Sequence, residues 1–135
     1  MEKLKELVLK EGYTCTIESD GKLFVSVERG VKPLLDFIND GLKGGRAADK
    51  VVGNGAAYLY VLLEITELHA FVISRPALET LKKYNISVTY DALVDNIINR
   101  SKTDICPMEK AVIPATTPWE ARELIIEKLK KMPIG

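Results

Sequence analysis

The sequence predicts an α/β fold, a three-layer α/β/α sandwich in which helices cover both faces of a mixed central sheet. The first supporting observation is a β-hairpin pattern near the amino terminus, followed by helical and extended patterns that alternate along the chain. Such alternation makes the later strands parallel, whereas the hairpin strands are antiparallel. The second observation is size and composition, since 135 residues with 47% apolar side chains suffice for one buried core. We therefore expect a single domain over residues 1–135.

The first elements are an amphipathic helix and the hairpin. Leucine and valine recur at helical spacing over residues 2–11, and Gly12 ends this pattern. Apolar and polar residues then alternate on both sides of Asp20-Gly21, a dipeptide typical of two-residue hairpin turns. A second helix begins at Pro33, because proline suits a first helical turn, and it extends to Gly41.

The central element is predicted as a helix from about Asp49 to Ile65, which is apolar on nearly all sides and therefore buried. The final helix begins with the capping box Thr117-Pro118-Trp119-Glu120. The other predicted elements are a strand over 68–73, a helix from Pro76 to near Asn85, a strand over 86–90, a segment 92–98 that fits either a strand or a helical turn, a short helix opening at Cys106-Pro107, and the final helix over about 118–132.

Composition excludes several classes of function. The 19 cationic and 19 anionic side chains balance, so no overall field favours nucleic acid or an acidic membrane. No apolar run is long enough to span a bilayer, and no signal-peptide pattern is visible, so we expect a cytoplasmic protein. Cys15 and Cys106 are far apart and are expected to be reduced thiols. With a single histidine, His69, the spacing of these residues predicts no metal site, and we expect no cofactor.

The glycine-rich segment over 44–57 is the strongest candidate for a ligand site. Gly53 and Gly55 lie in the first turns of the predicted helix, where each costs about 1 kcal/mol relative to alanine. A helix start favours anions such as phosphate, and Arg46 or Lys50 would pair with phosphate oxygens. The alternative is tight packing of this helix on the sheet, with Asp49 as a plain N-cap. The familiar phosphate motifs do not fit, since segment 53–58 lacks a third glycine and, by this assignment, a preceding strand.

Further candidates follow other elements. Cys106 begins a short helix, where a thiol pKa can be lowered, but Asp104 opposes that shift and an inert buried thiol is the favoured interpretation. His69 lies within a strand, which favours a structural role over catalysis. Ser74 follows a predicted strand and Asn99-Arg100 follows segment 92–98, and α/β proteins place ligand contacts at such positions. The equal alternative for each is a turn-forming or exposed residue.

The order of these motifs resembles a small prokaryotic family known as a domain of unknown function with a cytidine deaminase-like fold. The resemblance spans roughly residues 12–112. It rests on segment 48–53 followed by Ala56-Ala57, on Ser74, on Asn99-Arg100 and on segment 106–109.

Working deaminases of that fold bind zinc at the starts of two helices, with a histidine or cysteine before alanine-glutamate in the first and proline-cysteine-x-x-cysteine in the second. Here the first helix would open with Asp49-Lys50-Val51, and Ala77 and Thr80 take the places of the two cysteines. The resemblance therefore implies a nucleotide-binding cleft between the helix starts, without zinc-dependent deamination.

Three hypotheses follow. The leading one is a zinc-free cleft that binds a nucleotide-derived ligand, such as ADP-ribose or a dinucleotide fragment. The second is an enzyme that acts on such a ligand with Asp49 or Cys106 as nucleophile. The third is a non-catalytic interaction module, and a homo-oligomer is expected in each case. The residues predicted to contact the ligand are Arg46, Asp49, Lys50, Gly53, Gly55, Ser74, Asn99, Arg100, Cys106 and Glu109.

Overall fold

The computed structural model describes residues 1–28, 30–98 and 102–131, and its strands form one mixed sheet with helices on both faces. This arrangement confirms the predicted α/β fold. In chain order the elements are α1 (Glu2–Glu11), β1 (Cys15–Ser19), β2 (Lys22–Ser26), α2 (Lys32–Asn39), β3 (Arg46–Val52), α3 (Asn54–Leu62), β4 (Glu67–Ser74), α4 (Arg75–Lys83), β5 (Ser87–Val94), α5 (Pro107–Ala111) and α6 (Pro118–Lys131).

The five strands lie in the order β2-β1-β3-β4-β5. β1 is antiparallel to both of its neighbours, whereas β3, β4 and β5 are parallel. The hairpin turn is as predicted, since Asp20 and Gly21 both have positive φ, 52° and 75°. The turn predicted from the Asp20-Gly21 dipeptide therefore forms in the folded protein.

The two faces of the sheet carry different helices. On one face, α1 packs Leu4 and Val8 against Ala48 of β3, and the hydroxyl of Thr16 donates to the Leu4 carbonyl oxygen at 3.0 Å. On the other face lie α3 and α4, with α2 and α6 packed against α3 and α5 packed against α6. The main hydrophobic core lies between this second group of helices and the sheet, so it encloses the central helix α3.

The predicted helix from Asp49 to Ile65 is wrong in its first part. Residues Arg46–Val52 form β3, which pairs with β1 on one side and β4 on the other, and α3 begins only after the extended residue Gly53. Because helices cover both faces of β3, Ala47 and Ala48 are both fully buried and the strand lacks clear alternation. Alanine also favours helix by intrinsic propensity, which tertiary pairing overrides here. A strand therefore does precede segment 53–58.

The remaining elements agree with the prediction except for β5, which runs to Val94 and so assigns residues 92–94 to strand. At the start of α6 the Thr117 hydroxyl accepts the backbone N–H of Glu120 at 3.2 Å, as in a capping box. The Glu120 carboxylate instead accepts the Thr116 hydroxyl, at 2.8 Å. Across the described ranges, none of the helices has the length and apolar character needed to cross a bilayer.

Candidate ligand-binding cleft

Two adjoining cavities lie beside β3, and we call them together the Asp49 cleft. The outer cavity, of about 350 Å³, is lined by Thr14, Cys15, Glu28, Gly30, Leu34, Asp49, Lys50 and Val51. The inner cavity, of about 160 Å³, is lined by Gly30, Val31, Asp49, Val51, Gly53, Gly55, Ala56, Ile97, Cys106, Met108 and Glu109. Asp49 belongs to both, so the residue singled out in the sequence does lie at the centre of a cleft.

The Asp49 carboxyl is buried in the middle of β3, with 9% of the residue exposed. The Tyr60 hydroxyl donates to its Oδ2 at 2.6 Å, and the backbone N–H of Val51 donates to its Oδ1 at 3.2 Å. Burial raises the pKa of Asp49 from its usual value to about 7, although these hydrogen bonds lower it. Near neutral pH the carboxyl therefore exists in both protonation states, which suits an acid, a base or a switchable ligand contact.

Cys15 faces Asp49 across the β1–β3 ladder, and the thiol is free and buried. Burial, and next the Asp49 charge, raise the pKa of this thiol well above its usual range. Burial and the Asp49 charge likewise raise the pKa of Tyr60. Both groups are therefore neutral near pH 7, and Cys15 lacks the thiolate that a nucleophile needs.

Glu109 is the second buried carboxyl of the cleft, with 4% of the residue exposed. Its Oε2 accepts the backbone N–H of Ile97 at 2.8 Å, and the Ile97 carbonyl accepts the N–H of Cys106 at 2.7 Å. Its Oε1 is buried and has no hydrogen-bond partner within the described ranges. Glu109 thus anchors the segment after β5 to α5 and keeps one acceptor oxygen unpaired.

The glycines at the start of α3 make room for protein groups. A Cβ at Gly53 would lie 3.1 Å from Glu109 Oε2, and a Cβ at Gly55 would lie 3.3 Å from the Met108 carbonyl oxygen. Both distances are tighter than ordinary contacts. Close packing of α3 against α5 therefore explains these glycines, which favours the packing alternative over phosphate contact at this helix start.

The other predicted ligand contacts are only partly brought together. Lys50 lines the outer cavity and Cys106 lines the inner one. Arg46 is exposed at the opposite end of β3, beside Glu18 and Glu67 in the ladder. Ser74 is buried as the N-cap of α4, where its hydroxyl accepts the N–H of Ala77 at 3.3 Å, and like Arg46 it lines neither cavity. Asn99 and Arg100 lie outside the described residues.

His69 lies on the opposite face of the sheet, away from the cleft. Its Nδ1 is 2.7 Å from the Thr89 hydroxyl, and its Nε2 is 3.3 Å from Asp91 Oδ1. Burial lowers the pKa of His69, which keeps the ring neutral at neutral pH. These contacts agree with the structural role predicted for this residue.

Sequence reasoning did not find Thr14, Glu28, Gly30 or Tyr60, although they line or support the cleft. They come from the loop before β1, the connection between β2 and α2, and α3, and none carries a motif. The feature of the sequence that points toward the cleft is the hairpin, because the pairing of β1 with β3 brings Cys15 opposite Asp49. That signal becomes useful only once residues 46–52 are assigned to a strand.

The start of α3 is joined to the middle of α4 by a hydrogen bond from the Thr80 hydroxyl to Asn54 Oδ1, of length 2.6 Å. The inner cavity is lined by the start of α3, and no residue of α4 is among those lining either cavity. Ala77 and Thr80 supply no nitrogen or sulfur ligand, so they do not fit a zinc ion. Within the described ranges, no group of three or more His, Cys, Asp or Glu side chains is placed to hold a metal ion.

Comparison with known proteins gives a family and a structural neighbour. Residues 3–129 match the sequence profile of TM1506, a domain of unknown function (DUF1893). The chain is also similar to a DUF1893 family protein (TM1506) from Thermotoga maritima, whose crystal structure is at 2.70 Å resolution, with 26% identity and a TM-score of 0.83. That similarity covers 97% of this chain and 88% of the other. Among curated proteins, none matches.

Proposed function

The chain belongs to the DUF1893 domain family, whose function is unknown, and from this premise we propose that its Asp49 cleft binds a nucleotide-derived ligand without zinc. One observation carries the proposal: a buried carboxyl with a pKa of about 7 lines a cavity of about 350 Å³. Strongly perturbed titratable groups in clefts are typical of functional sites. The volume falls within the range of small-molecule pockets.

The charges around the outer cavity suggest how such a ligand would lie. Lys50 is exposed at its lining and offers an ammonium group to phosphate oxygens. Asp49 offers carboxyl oxygens to hydroxyl or amino groups deeper in the cleft. A ligand with a phosphate at one end and hydroxyl or amino groups at the other matches this polarity, and nucleotides and ADP-ribose have that form.

Titration calorimetry with AMP, ADP, ADP-ribose and a dinucleotide tests the proposal. Lys50→Ala is expected to weaken binding at least about tenfold, since a charge-assisted contact contributes about 1.5–3 kcal/mol. Arg46→Ala is the matched control, because it removes a cation from the same strand at a position outside both cavities. Failure of every compound to bind at millimolar concentration would overturn the proposal, and an equal effect of the two variants would contradict the role of Lys50.

An enzymatic role is the second candidate, and the raised pKa of Asp49 is the observation that favours it. Asp49 is favoured over Cys106 as the candidate nucleophile, because it is the cleft carboxyl whose pKa burial raises. Intact-mass measurement after incubation with a compound that binds would detect a covalent adduct. Unchanged mass together with unchanged turnover in Asp49→Asn would eliminate this candidate.

A deaminase-like arrangement and self-association remain proposals. The deaminase-like arrangement is supported by the sheet, because α3 and α4 follow adjacent parallel strands and so begin at the same sheet edge.

Self-association is supported by Trp119, which is 68% exposed beside a groove of about 460 Å³ on α3 and α6. Light scattering of the protein and of Trp119→Ala tests self-association, and a monomer at high concentration would exclude it.

A further inference from the structure

We propose that the inner cavity is a subsite for a hydrogen-bond donor of the ligand, a hydroxyl or an amine, which Glu109 binds through Oε1 while its charge excludes phosphoryl groups. This inference rests on the proposed function, because it assigns one end of the same ligand. It also reverses the orientation of the ligand expected from the sequence, which placed the phosphate at the start of α3.

The first argument is that the anion position at the start of α3 is already filled. Gly53 is the N-cap and has no side chain to cap the helix, so the helix start favours a negative charge from elsewhere. The Glu109 carboxylate supplies that charge, because its Oε2 is 3.1 Å from the position a Gly53 Cβ would occupy. A phosphoryl group in the same cavity would face Glu109, and Asp49 in its ionised form, and these negative charges repel it.

The second argument is the unpaired oxygen. Glu109 is 4% exposed and lines the inner cavity, yet its Oε1 has no hydrogen-bond partner in the described part of the chain. A buried carboxylate oxygen without a donor is unfavourable. Rotation of the carboxyl does not relieve this, because Oε2 would then lose the backbone N–H of Ile97 at 2.8 Å. A donor that reaches this oxygen from the inner cavity therefore gains a bond that the protein itself leaves open.

The third argument is size. The inner cavity, of about 160 Å³, holds about five water molecules at their volume in the liquid. That space accepts a small ring or a chain end with one or two polar groups, but not a whole nucleotide. Its remaining walls are largely apolar, with Ile97, Met108 and Ala56, so the polar contact is concentrated at the two carboxyls.

The experiment compares three probes by titration calorimetry: ADP, 2′,3′-dideoxy-ADP, which lacks the sugar hydroxyls, and IDP, which lacks the base amine. The wild type is expected to bind one of the two analogues at least about tenfold more weakly than ADP. Weak binding of the dideoxy analogue identifies a hydroxyl in the subsite, and weak binding of IDP identifies the amine. Glu109→Gln is expected to lose this discrimination, because its amide can accept the Ile97 N–H and present a donor in place of Oε1.

Glu67→Gln is the matched control, since Glu67 lies opposite Arg46 in the ladder and lines neither cavity, so the discrimination should persist. Inorganic pyrophosphate tests the exclusion separately: Glu109→Gln is expected to bind it more tightly than the wild type, whereas Glu109→Asp, which keeps the charge, is not. Melting curves establish that each variant is folded, and Glu109→Asp with weakened ADP binding replaces Glu109→Gln if the latter does not fold.

The outcomes separate this inference from the proposed function. If ADP binds but both analogues bind equally well, or if Glu109→Gln keeps the discrimination, the subsite is refuted and the nucleotide cleft stands. If none of the nucleotides binds, the proposed function fails, and the subsite assignment fails with it. Pyrophosphate binding that is equal in the wild type and Glu109→Gln overturns the charge exclusion whichever nucleotide result is obtained.

Discussion

Replacement of Asp49 by asparagine is expected to stabilise the protein at pH 8 and to destabilise it by about 1–2 kcal/mol at pH 4. The reason lies in the burial of the carboxyl, which raises its pKa from 3.8 to about 7 in the folded protein. The folded state therefore holds a proton that the unfolded chain releases near pH 4. Asparagine keeps the shape of the side chain but has no proton to lose.

The size of the effect follows from the two pKa values. Each pKa unit corresponds to about 1.4 kcal/mol, so the ionised carboxyl costs the folded state about 4 kcal/mol at pH 8. Because the folded pKa is the higher one, this contribution to stability is fully present below pH 4 and is lost as the pH rises to about 7. The amide must reorganise its bonds with Tyr60 and Val51, which costs about 1–2 kcal/mol. A net gain of about 2–3 kcal/mol is therefore expected at pH 8.

Urea denaturation of both proteins from pH 4 to pH 8.5 measures this gain. The unfolding free energies of variant and wild type are subtracted at each pH, because the contributions of other groups that titrate in this range then cancel. His69 is one of them: its folded pKa is lowered, so its contribution is present above its unfolded pKa near 6.5 and is lost as the pH falls.

A difference in unfolding free energy that stays constant across this pH range would refute the argument, as would an asparagine variant that is less stable than the wild type at pH 8. Tyr60→Phe is the companion variant, because it removes the hydroxyl that donates to the carboxylate at 2.6 Å. It is expected to lose more stability at pH 8 than at pH 4.

Three further substitutions test the fold by the same denaturation measurement. Gly45→Ala is expected to cost about 3 kcal/mol or more, since Gly45 has φ of 110° and a Cβ there would overlap the Glu18 carbonyl oxygen. Thr80→Val removes the bond to Asn54 between α3 and α4 and is expected to cost about 1–2 kcal/mol. Thr117→Ala removes the N-cap of α6 and is expected to cost about 1 kcal/mol. Losses below about 0.5 kcal/mol would contradict the assigned role in each case.

Local signals predicted the elements whose causes are local. Gly12 ends α1 with a left-handed φ of 76°, and the Asp20-Gly21 turn pairs β1 with β2 in the expected register. The failure at β3 has a nonlocal cause. Its extended backbone is stabilised by β1 and β4 and by helices on both faces, and nothing in the segment alone indicates those partners.

The sequence by itself determined the fold class and most element boundaries, because caps, turns and periodicity act between neighbours in the chain. Only the tertiary structure decided where the segment around Asp49 lies. It placed Asp49 in a strand opposite Cys15 and beneath Tyr60, where burial raises the carboxyl pKa to about 7. It also placed Glu109 beside Gly53, which gives the glycines a packing role and the cleft a second carboxyl. Burial and charge proximity arise from residues distant in the chain, so they are properties of the assembled fold.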